Sequence, residues 1–150
     1  MKKIIFLIAI TFLILQSCSS GEDNIQPQVK NDIKPPYTVS YEVSFSSGLQ
    51  DKRNNTALQF ASEISPGKFY FGNRTTISDL SKTWIHRFTV TVESNPLYLD
   101  IFTDIEPVKA GHVNFKIYVN DILVENVTTI VNPRTDISSS LFFGASYWVY

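Results

Sequence analysis

The chain has 150 residues, of which 43% are hydrophobic and 18% charged, and its 13 Lys and Arg nearly balance its 14 Asp and Glu, giving a net charge of −1. This size fits one globular domain with a short additional segment. The sequence has no basic stripe that could hold a phosphate backbone, so its charge pattern argues against nucleic-acid binding.

The N-terminal segment is typical of a secretory signal peptide. Lys2 and Lys3 give it a basic start, residues 4–15 are apolar and uncharged, and the small Ser17 precedes Cys18. The apolar stretch is shorter than the roughly 20 residues that a helix needs to cross the hydrocarbon core of a bilayer. A permanent transmembrane anchor is therefore disfavoured, and the segment is predicted to be removed.

The end of this segment carries a lipidation motif. Leu15, Gln16 and Ser17, followed by Cys18, resemble the lipobox of bacterial lipoproteins, in which the cysteine becomes diacylated. The resemblance implies that residues 1–17 are removed and that Cys18 carries fatty acyl chains such as palmitate. Each buried CH₂ group of such a chain contributes ~0.8 kcal/mol, and two or more chains anchor a protein stably where one does not. Cys18 is also the only cysteine, so the mature domain has no disulfide and no cysteine for zinc binding or nucleophilic catalysis.

The segment after the cysteine is predicted to be a tether. Residues 18–36 are polar and rich in proline, which favours a flexible connection between Cys18 and the domain. Glu22 and Asp23 follow Cys18 within a few residues, and this spacing is similar to that of the acidic export signal by which lipoproteins of the Bacteroidetes reach the outer face of the outer membrane. Two interpretations stay open: a signal for surface display, and charges that are simply solvated in a linker.

The remainder of the chain has the pattern of β-strands. From Tyr37 onward, apolar and polar residues alternate with a period of two, as in strands that bury one face, and no helical period of useful length occurs. Residues 37–150 are therefore predicted to form an all-β domain, an antiparallel Ig-like β-sandwich of about eight strands. The predicted strands are residues 37–45, 57–64, 68–71, 84–93, 97–103, 112–120, 122–131 and 141–150.

The segments between these strands predict turns and loops. Pro66 and Gly67 suit a tight turn, and the Asn120–Asp121 pair, which tolerates positive φ, suits a hairpin. The charged segment 46–56 is predicted to be an exposed loop. The polar segment 72–82 is the longest candidate for a functional loop.

The hairpin region resembles a known family. Residues 117–126, a strand, a tight turn and a valine-containing strand, resemble the corresponding hairpin of the MmpS family, which are small mycobacterial envelope proteins with an Ig-like sandwich. Residues 39–43 are similar to the first strand of that family, and Trp84 is similar to the Trp before its central strand. The chain differs from the family in having Asp121 in place of the turn glycine and in lacking its cysteine pair. The resemblance implies an accessory role beside an envelope transporter and no catalytic residue.

Candidate catalytic groups are few. His86 shares a strand face with Trp84 and Phe88, which favours a packed histidine over a catalytic one. His112 opens a later strand beside Gly111 and is predicted to be exposed, and the two histidines lack the ligand spacing of a zinc site. The sequence also lacks the serine-nucleophile, phosphate-loop and metalloprotease motifs. The chain is therefore predicted to be no enzyme and to use no cofactor or metal.

One acidic cluster could offer oxygen ligands. Asp100, Asp104 and Glu106 fall on one face of an extended chain, and such carboxylates bind Ca²⁺ where roughly 6 to 8 oxygens can be assembled. Three carboxylates fall short of that number without backbone carbonyls. The favoured interpretation is a solvated outer face of the sheet.

Aromatic residues in the last strand are the other candidate site. Phe142, Trp148 and Tyr150 share one face of that strand, opposite Phe143 and Tyr147, so one group must point away from the core. Exposed aromatics stack on sugars or anchor a protein partner. The alternative is that they only cover the outer face of a sheet or a neighbouring loop.

Two functional classes follow from these observations. The first is a lipoprotein of the bacterial cell envelope whose sandwich binds or assists a membrane or envelope protein partner such as a transporter. Its acidic export signal predicts that this lipoprotein is in the outer membrane. The second is a surface-displayed module that captures carbohydrate or a host ligand.

Overall fold

The structure, a computed structural model, describes residues 33–93, 97–133 and 141–149. Cys18 and Tyr150 lie outside the described residues, as do the signal peptide and most of the predicted tether. Residues Asn31–Tyr150 group into one compact unit. Ile33, which the sequence placed in the tether, packs against the core of that unit.

The described residues form eight β-strands that follow the predicted alternation. The strands are β1 (Tyr37–Phe45), β2 (Thr56–Ser65), β3 (Lys68–Ile77), β4 (Trp84–Val90), β5 (Leu97–Ile105), β6 (Gly111–Val119), β7 (Ile122–Val131) and β8 (Leu141–Val149). Within this part of the chain there is no helix that could span a bilayer.

The strands form two four-stranded sheets. Sheet 1 has the order β4-β1-β6-β7 and sheet 2 the order β3-β2-β5-β8, and every neighbouring pair is antiparallel. The predicted antiparallel β-sandwich of about eight strands is therefore confirmed. Strand β1 lies inside sheet 1, between β4 and β6, whereas β8 lies at an edge of sheet 2.

The core lies between the two sheets, where each strand removes its apolar face from water. The alternation predicts an inward face in β1 and β6, and eight of its residues are buried: Tyr37, Val39, Tyr41, Val43, Val113, Phe115, Ile117 and Val119. Phe45, the ninth, is only partly buried and packs against this core. Sheet 2 contributes Leu58, Phe60, Leu99, Ile101 and Ile105. Burying one such side chain stabilises the fold by roughly 1.5–3 kcal/mol.

Both predicted tight turns are also confirmed. Asn120 and Asp121 have φ values of 50° and 63°, which is the left-handed pair that a two-residue type I′ hairpin needs between β6 and β7. Gly67 has a φ of 74° in the turn between β2 and β3. Asn and Gly are the residues that adopt this conformation at low cost, so the local sequence determines where these hairpins turn.

The predicted functional loop at residues 72–82 is wrong in its first half. Strand β3 continues through Gly72 to Ile77, and its residues pair with β2 from Phe60 to Thr56. This strand forms an edge of sheet 2, so half of its side chains are polar and face solvent. An edge strand of this kind has little hydrophobic alternation, and the sequence pattern therefore resembled a loop.

The loop between β1 and β2 is less exposed than predicted. Asp51 is buried, and its Oδ1 accepts hydrogen bonds from the N–H groups of Glu106 (3.1 Å) and Arg53 (3.3 Å). Its Oδ2 accepts from the N–H of Asn55 (3.2 Å) and the hydroxyl of Thr56 (3.1 Å). These four bonds join the loop to the end of β5, so the aspartate has a structural role that charge alone did not indicate.

Candidate functional site

The candidate site lies on the outer face of sheet 2, along β5 and β8. In β8, Ala145 and Val149 are buried and Phe143 and Tyr147 pack against the core. The alternate residues point outward, and Phe142 and Trp148 are 63% and 46% exposed. The predicted division of the strand into two aromatic faces is thus confirmed for these residues, whereas Tyr150 lies outside the described ones.

Phe102 of β5 extends the outward aromatic group. Its ring centroid lies 6.5 Å from that of Phe142, at an interplanar angle of 60°. The register places Phe102 opposite Gly144 of β8. A Cβ atom on Gly144 would lie 2.1 Å from the carbonyl oxygen of Ile101 and 2.5 Å from Cβ of Phe102. The absence of a side chain at Gly144 therefore allows Phe102 to lie close against β8.

A charged group borders the aromatic one. Asp104 lies opposite Phe142 in the β5–β8 ladder. Its carboxylate forms ion pairs with Arg53 (Nη2–Oδ1, 3.1 Å) and Arg74 (Nη2–Oδ2, 3.5 Å). Arg53 comes from the β1–β2 loop and Arg74 from β3. The small Ala57 lies opposite Asp104 in the intervening strand β2 and leaves room for Arg74 to reach across. We call this outward set of residues the aromatic–arginine face. Its members are Phe102, Asp104, Phe142, Trp148, Arg53 and Arg74.

The electrostatics of this face are positive. Asp104 is largely covered, with 10% of its side chain exposed, whereas the Arg53 and Arg74 side chains are 37% and 52% exposed. One buried carboxylate is thus shared by two accessible guanidinium groups. Such groups can bind a further carboxylate through parallel hydrogen bonds.

The predicted solvated acidic face is wrong for two of its three members. Asp100 and Asp104 each retain only 7% exposure. Burial raises the pKa of Asp100 above its ordinary value, while the arginines compensate the charge of Asp104. Among the residues that the structure describes, no three His, Cys, Asp or Glu side chains converge to hold a metal ion. Asp104 is covered because Arg53 and Arg74 contact it from other parts of the chain, which residue spacing alone does not show.

His86 is packed among aromatic rings, as predicted. Its ring centroid lies 4.5 Å from that of Phe60 and 5.8 Å from those of Trp84 and Phe88, and it stacks on Trp84 at an interplanar angle of 12°. Burial lowers the pKa of His86, so the ring is neutral at neutral pH. His112 is exposed, as predicted, at the other end of sheet 1. The structure therefore does not bring the two histidines together.

Sequence reasoning missed the two arginines of the site. Arg53 and Asp104 are 51 positions apart in the chain, and Arg74 and Asp104 are 30 apart. Neither separation forms a motif, because the contact depends on the order of strands in sheet 2. Arg53 and Arg74 both fell in segments that were predicted to be loops, so no local signal placed either of them on a face of the sheet.

The arrangement can bind a ligand by contact and charge. It offers exposed aromatic rings, guanidinium donors and an antiparallel ladder beneath them. Of the two carboxylates on this face, Asp104 is already paired with the arginines and Asp100 is buried, with a raised pKa. Comparison of the chain with protein-family models, with curated proteins and with solved structures found no match. The function is accordingly argued from the sequence and from this geometry.

Proposed function

We propose that this chain is a non-enzymatic lipoprotein of the bacterial cell envelope whose sandwich binds a protein partner through the aromatic–arginine face. The observation that carries the proposal is the outward exposure of Phe142 next to the Arg53–Asp104–Arg74 group, with Trp148 exposed on the same face six residues farther along β8. The lipobox-like residues up to Cys18 support the anchor, and the acidic pair Glu22 and Asp23 supports an outer-membrane location.

The composition of the face favours a protein partner. Residues that contribute most to protein–protein binding are enriched in Trp, Tyr and Arg, and aromatic side chains bury a large area with few rotatable bonds. An exposed Phe and Trp on a rigid strand bind without the entropic cost of ordering a loop. The accessible guanidinium groups add a preference for a partner that presents a carboxylate next to an apolar side chain.

The outer face of sheet 1 is a poorer candidate. Its side chains satisfy one another: Lys116 pairs with Glu42 at 2.7 Å, and Arg87 pairs with Asp121. Asn114 donates to Thr128 across β6 and β7 at 2.8 Å. This face exposes aliphatic side chains, Ile85 at 62% and Ile130 at 76%, but none of its described Phe or Trp side chains is strongly exposed, so we assign binding to sheet 2.

The anchor and tether set where the partner is. Acyl chains on Cys18 would hold the domain on the membrane, and the predicted tether would let the domain reach proteins embedded in that membrane or lying near it. The MmpS-like hairpin suggests a transporter as one such partner. Membrane attachment would also raise the local concentration of the domain at its partner.

Carbohydrate binding is the second candidate. Trp148 and Phe142 form exposed apolar surface on a flat sheet, and Gln59 of β2 lies opposite Phe102 with a hydrogen-bonding amide. Aromatic rings against sugar faces with polar groups beside them are a general mode of sugar recognition. In this case the domain would act as a surface-displayed capture module for a glycan or a host ligand.

The test is crosslinking of the full chain in its native host, followed by mass spectrometry. We expect a membrane or envelope protein to crosslink to the parent chain and the yield to fall at least tenfold for Phe142→Ala and Trp148→Ala. Ile122→Ala is the matched control, because Ile122 is as exposed as Phe142 (64% against 63%) but belongs to sheet 1. Equal loss in all three variants, or loss in none, contradicts the assigned face.

Two further measurements separate the remaining parts of the proposal. Metabolic labelling with a fatty-acid analogue should mark the parent chain and not Cys18→Ser, and an unlabelled parent chain contradicts the anchor. A glycan array probed with the domain should be silent if the partner is a protein. Array binding that Trp148→Ala abolishes would replace the protein partner with a carbohydrate.

A further inference from the structure

We propose that two copies of this chain pair through strand β8. The two β8 strands would run antiparallel about a two-fold axis at Ala145, so that sheet 2 of one copy joins sheet 2 of the other into one eight-stranded sheet. The inference needs neither the lipid anchor nor the proposed partner. It rests on the edge position of β8, on the absence of charge in that strand, and on its symmetric sequence.

Strand β8 differs from the other three sheet edges. The edges of the two sheets are β4 and β7 in sheet 1 and β3 and β8 in sheet 2. Edge strands present unpaired N–H and C=O groups, and proteins guard them with charged residues, proline or bulges. Lys68 and Arg74 occur in β3, Arg87 in β4 and Glu125 in β7, whereas β8 has neither a charged residue nor proline.

The sequence of β8 reads similarly in both directions. From Leu141 to Val149 it is aliphatic, two aromatics, a small residue, Ala145, a small residue, two aromatics and aliphatic. An antiparallel pair centred on Ala145 places Phe142 of one copy opposite Trp148 of the other, and Phe143 opposite Tyr147. Each contact then occurs twice, as a two-fold interface requires.

The register is selective. Residues directly opposite each other in an antiparallel pair share a face, so only shifts of two residues keep the core side of both copies together. Moving the axis to Ser146 would place Trp148 opposite Gly144, and moving it to Gly144 would place Phe142 opposite Ser146. Only the register centred on Ala145 matches aromatic with aromatic on both faces, which is the favourable kind of cross-strand pair.

Sheet 1 also presents apolar side chains on the side of the sandwich where β8 lies. Strand β7 lies over β8 in the other sheet. Ile122, Leu123 and Ile130 of β7 are exposed, so apolar surface is present in both strands of this side. Pairing through β8 would bring the two β7 strands towards each other and shield part of this surface.

The pairing leaves the aromatic–arginine face accessible. Edge pairing uses backbone groups in the plane of the sheet, while Phe142 and Trp148 project from it. In the dimer Phe142 of each copy would lie opposite Trp148 of the other, which gives two outward aromatic pairs related by the two-fold axis, with Gly144 and Ser146 between them. A bivalent surface of this kind could engage a symmetric or repeated partner.

The experiment places a cysteine at the axis. Ala145→Cys in the full chain, produced in bacteria and treated with a mild oxidant, should give a reducible dimer whose linked peptides both contain residue 145. Adding Phe142→Lys should lower the dimer yield at least tenfold, whereas adding Ile85→Lys, at a similarly exposed residue of β4 on the other edge of sheet 1, should leave it unchanged. The parent chain, whose only cysteine is Cys18, gives the background, and Thr89→Cys at the β4 edge controls for random collision.

The proposal is overturned if Ala145→Cys gives no more dimer than Thr89→Cys, or if Phe142→Lys and Ile85→Lys behave alike. A second measurement needs no cysteine at the axis. Sedimentation of the detergent-solubilised full chain should give twice the protein mass found for Phe142→Lys. Equal masses for the two proteins would contradict the pairing even where Ala145→Cys failed to fold.

Discussion

Two groups of aromatic side chains in this sandwich have the same alternating sequence pattern and opposite surroundings. The inner group, Tyr41, Phe60, Trp84 and Phe88 with His86 among them, lies between the sheets, and its neighbouring ring centroids are 4.5–6.2 Å apart. The outer group, Phe102, Phe142 and Trp148, lies on the outside of sheet 2. Tyr41 and Phe60 are buried and Trp84 and Phe88 are partly buried, whereas two of the outer three rings are extensively exposed.

The difference shows what each group contributes. Rings between the sheets gain from burial and from mutual edge and offset contacts, so they stabilise the fold. Rings on the outside gain little on folding, and their exposed area is available for binding. Each aromatic residue therefore has to be assigned to the inner or the outer face of its sheet before it is interpreted as part of the core or of a binding site.

The largest expected effect is in the inner group. Phe60→Ala should lower the free energy of unfolding by about 3–5 kcal/mol, because it removes a buried ring that contacts Tyr41, Trp84 and His86 and leaves a cavity. Chemical denaturation of the two proteins measures it. A loss below about 1 kcal/mol would show that the cluster rearranges to fill the space, and the distinction between the groups would weaken.

The next effect tests how closely the outer group is packed onto the sheet. Gly144→Ala should cost about 1–3 kcal/mol, because its Cβ would collide with the backbone of β5 and with Phe102. Gly72→Ala is the matched control, since the nearest atoms to its Cβ belong to the movable end of the exposed Tyr70 side chain. Similar denaturation midpoints for the two variants would contradict the close approach of β5 and β8.

A smaller, pH-dependent effect concerns His86. Burial lowers the pKa of His86 in the folded chain, whereas in the unfolded chain its pKa is near 6.5. Between these two pH values the unfolded chain binds more protons than the folded one. The free energy of unfolding should therefore fall as the pH drops below about 6.5. Unfolding curves of His86→Phe between pH 7.5 and 5 should show a shallower fall than those of the parent.

The exposed His112 supplies the control for that experiment. His112→Gln removes the other histidine, whose side chain is exposed and outside the aromatic cluster. If His112→Gln flattened the curve and His86→Phe did not, the assignment of the buried, neutral histidine would be wrong.

The smallest effect on stability is expected for the outer rings. Phe142→Ala and Trp148→Ala should each change the free energy of unfolding by less than about 0.5 kcal/mol, as is usual for surface substitutions. Thermal and chemical unfolding measure it, in parallel with the crosslinking of partners. A cost of several kcal/mol for Trp148→Ala would assign that ring to the fold and remove it from the candidate site.

Local patterns predicted most of this fold and part of the candidate site. The residues of β1, β6 and β7 and the turn at Asn120 could be predicted because burial on one face and positive φ leave local marks in the sequence. The extension of β3 could not, because its solvent-facing positions are polar. The outward direction of Phe142 and Trp148 followed from alternation alone.

The polar contacts of the site lie beyond such local reasoning. Asp51 is buried because four donors from its own loop and from Glu106 converge on it. Asp104 meets Arg53 and Arg74 only after β2 has been inserted between β3 and β5. Both depend on strand order, and a single sequence carries no mark of strand order.

The position of β1 has a mechanical consequence. Any load on a membrane-attached form of this protein would enter the sandwich at Tyr37, the first residue of a strand flanked on both sides. Seven residue pairs join β1 to β4 and seven join it to β6, and a force directed along the strand would have to shear both ladders at once. In such a form the domain would resist unfolding from the N-terminal end of β1. A pulling force from a bound partner should therefore extend the predicted tether before it unfolds the sandwich.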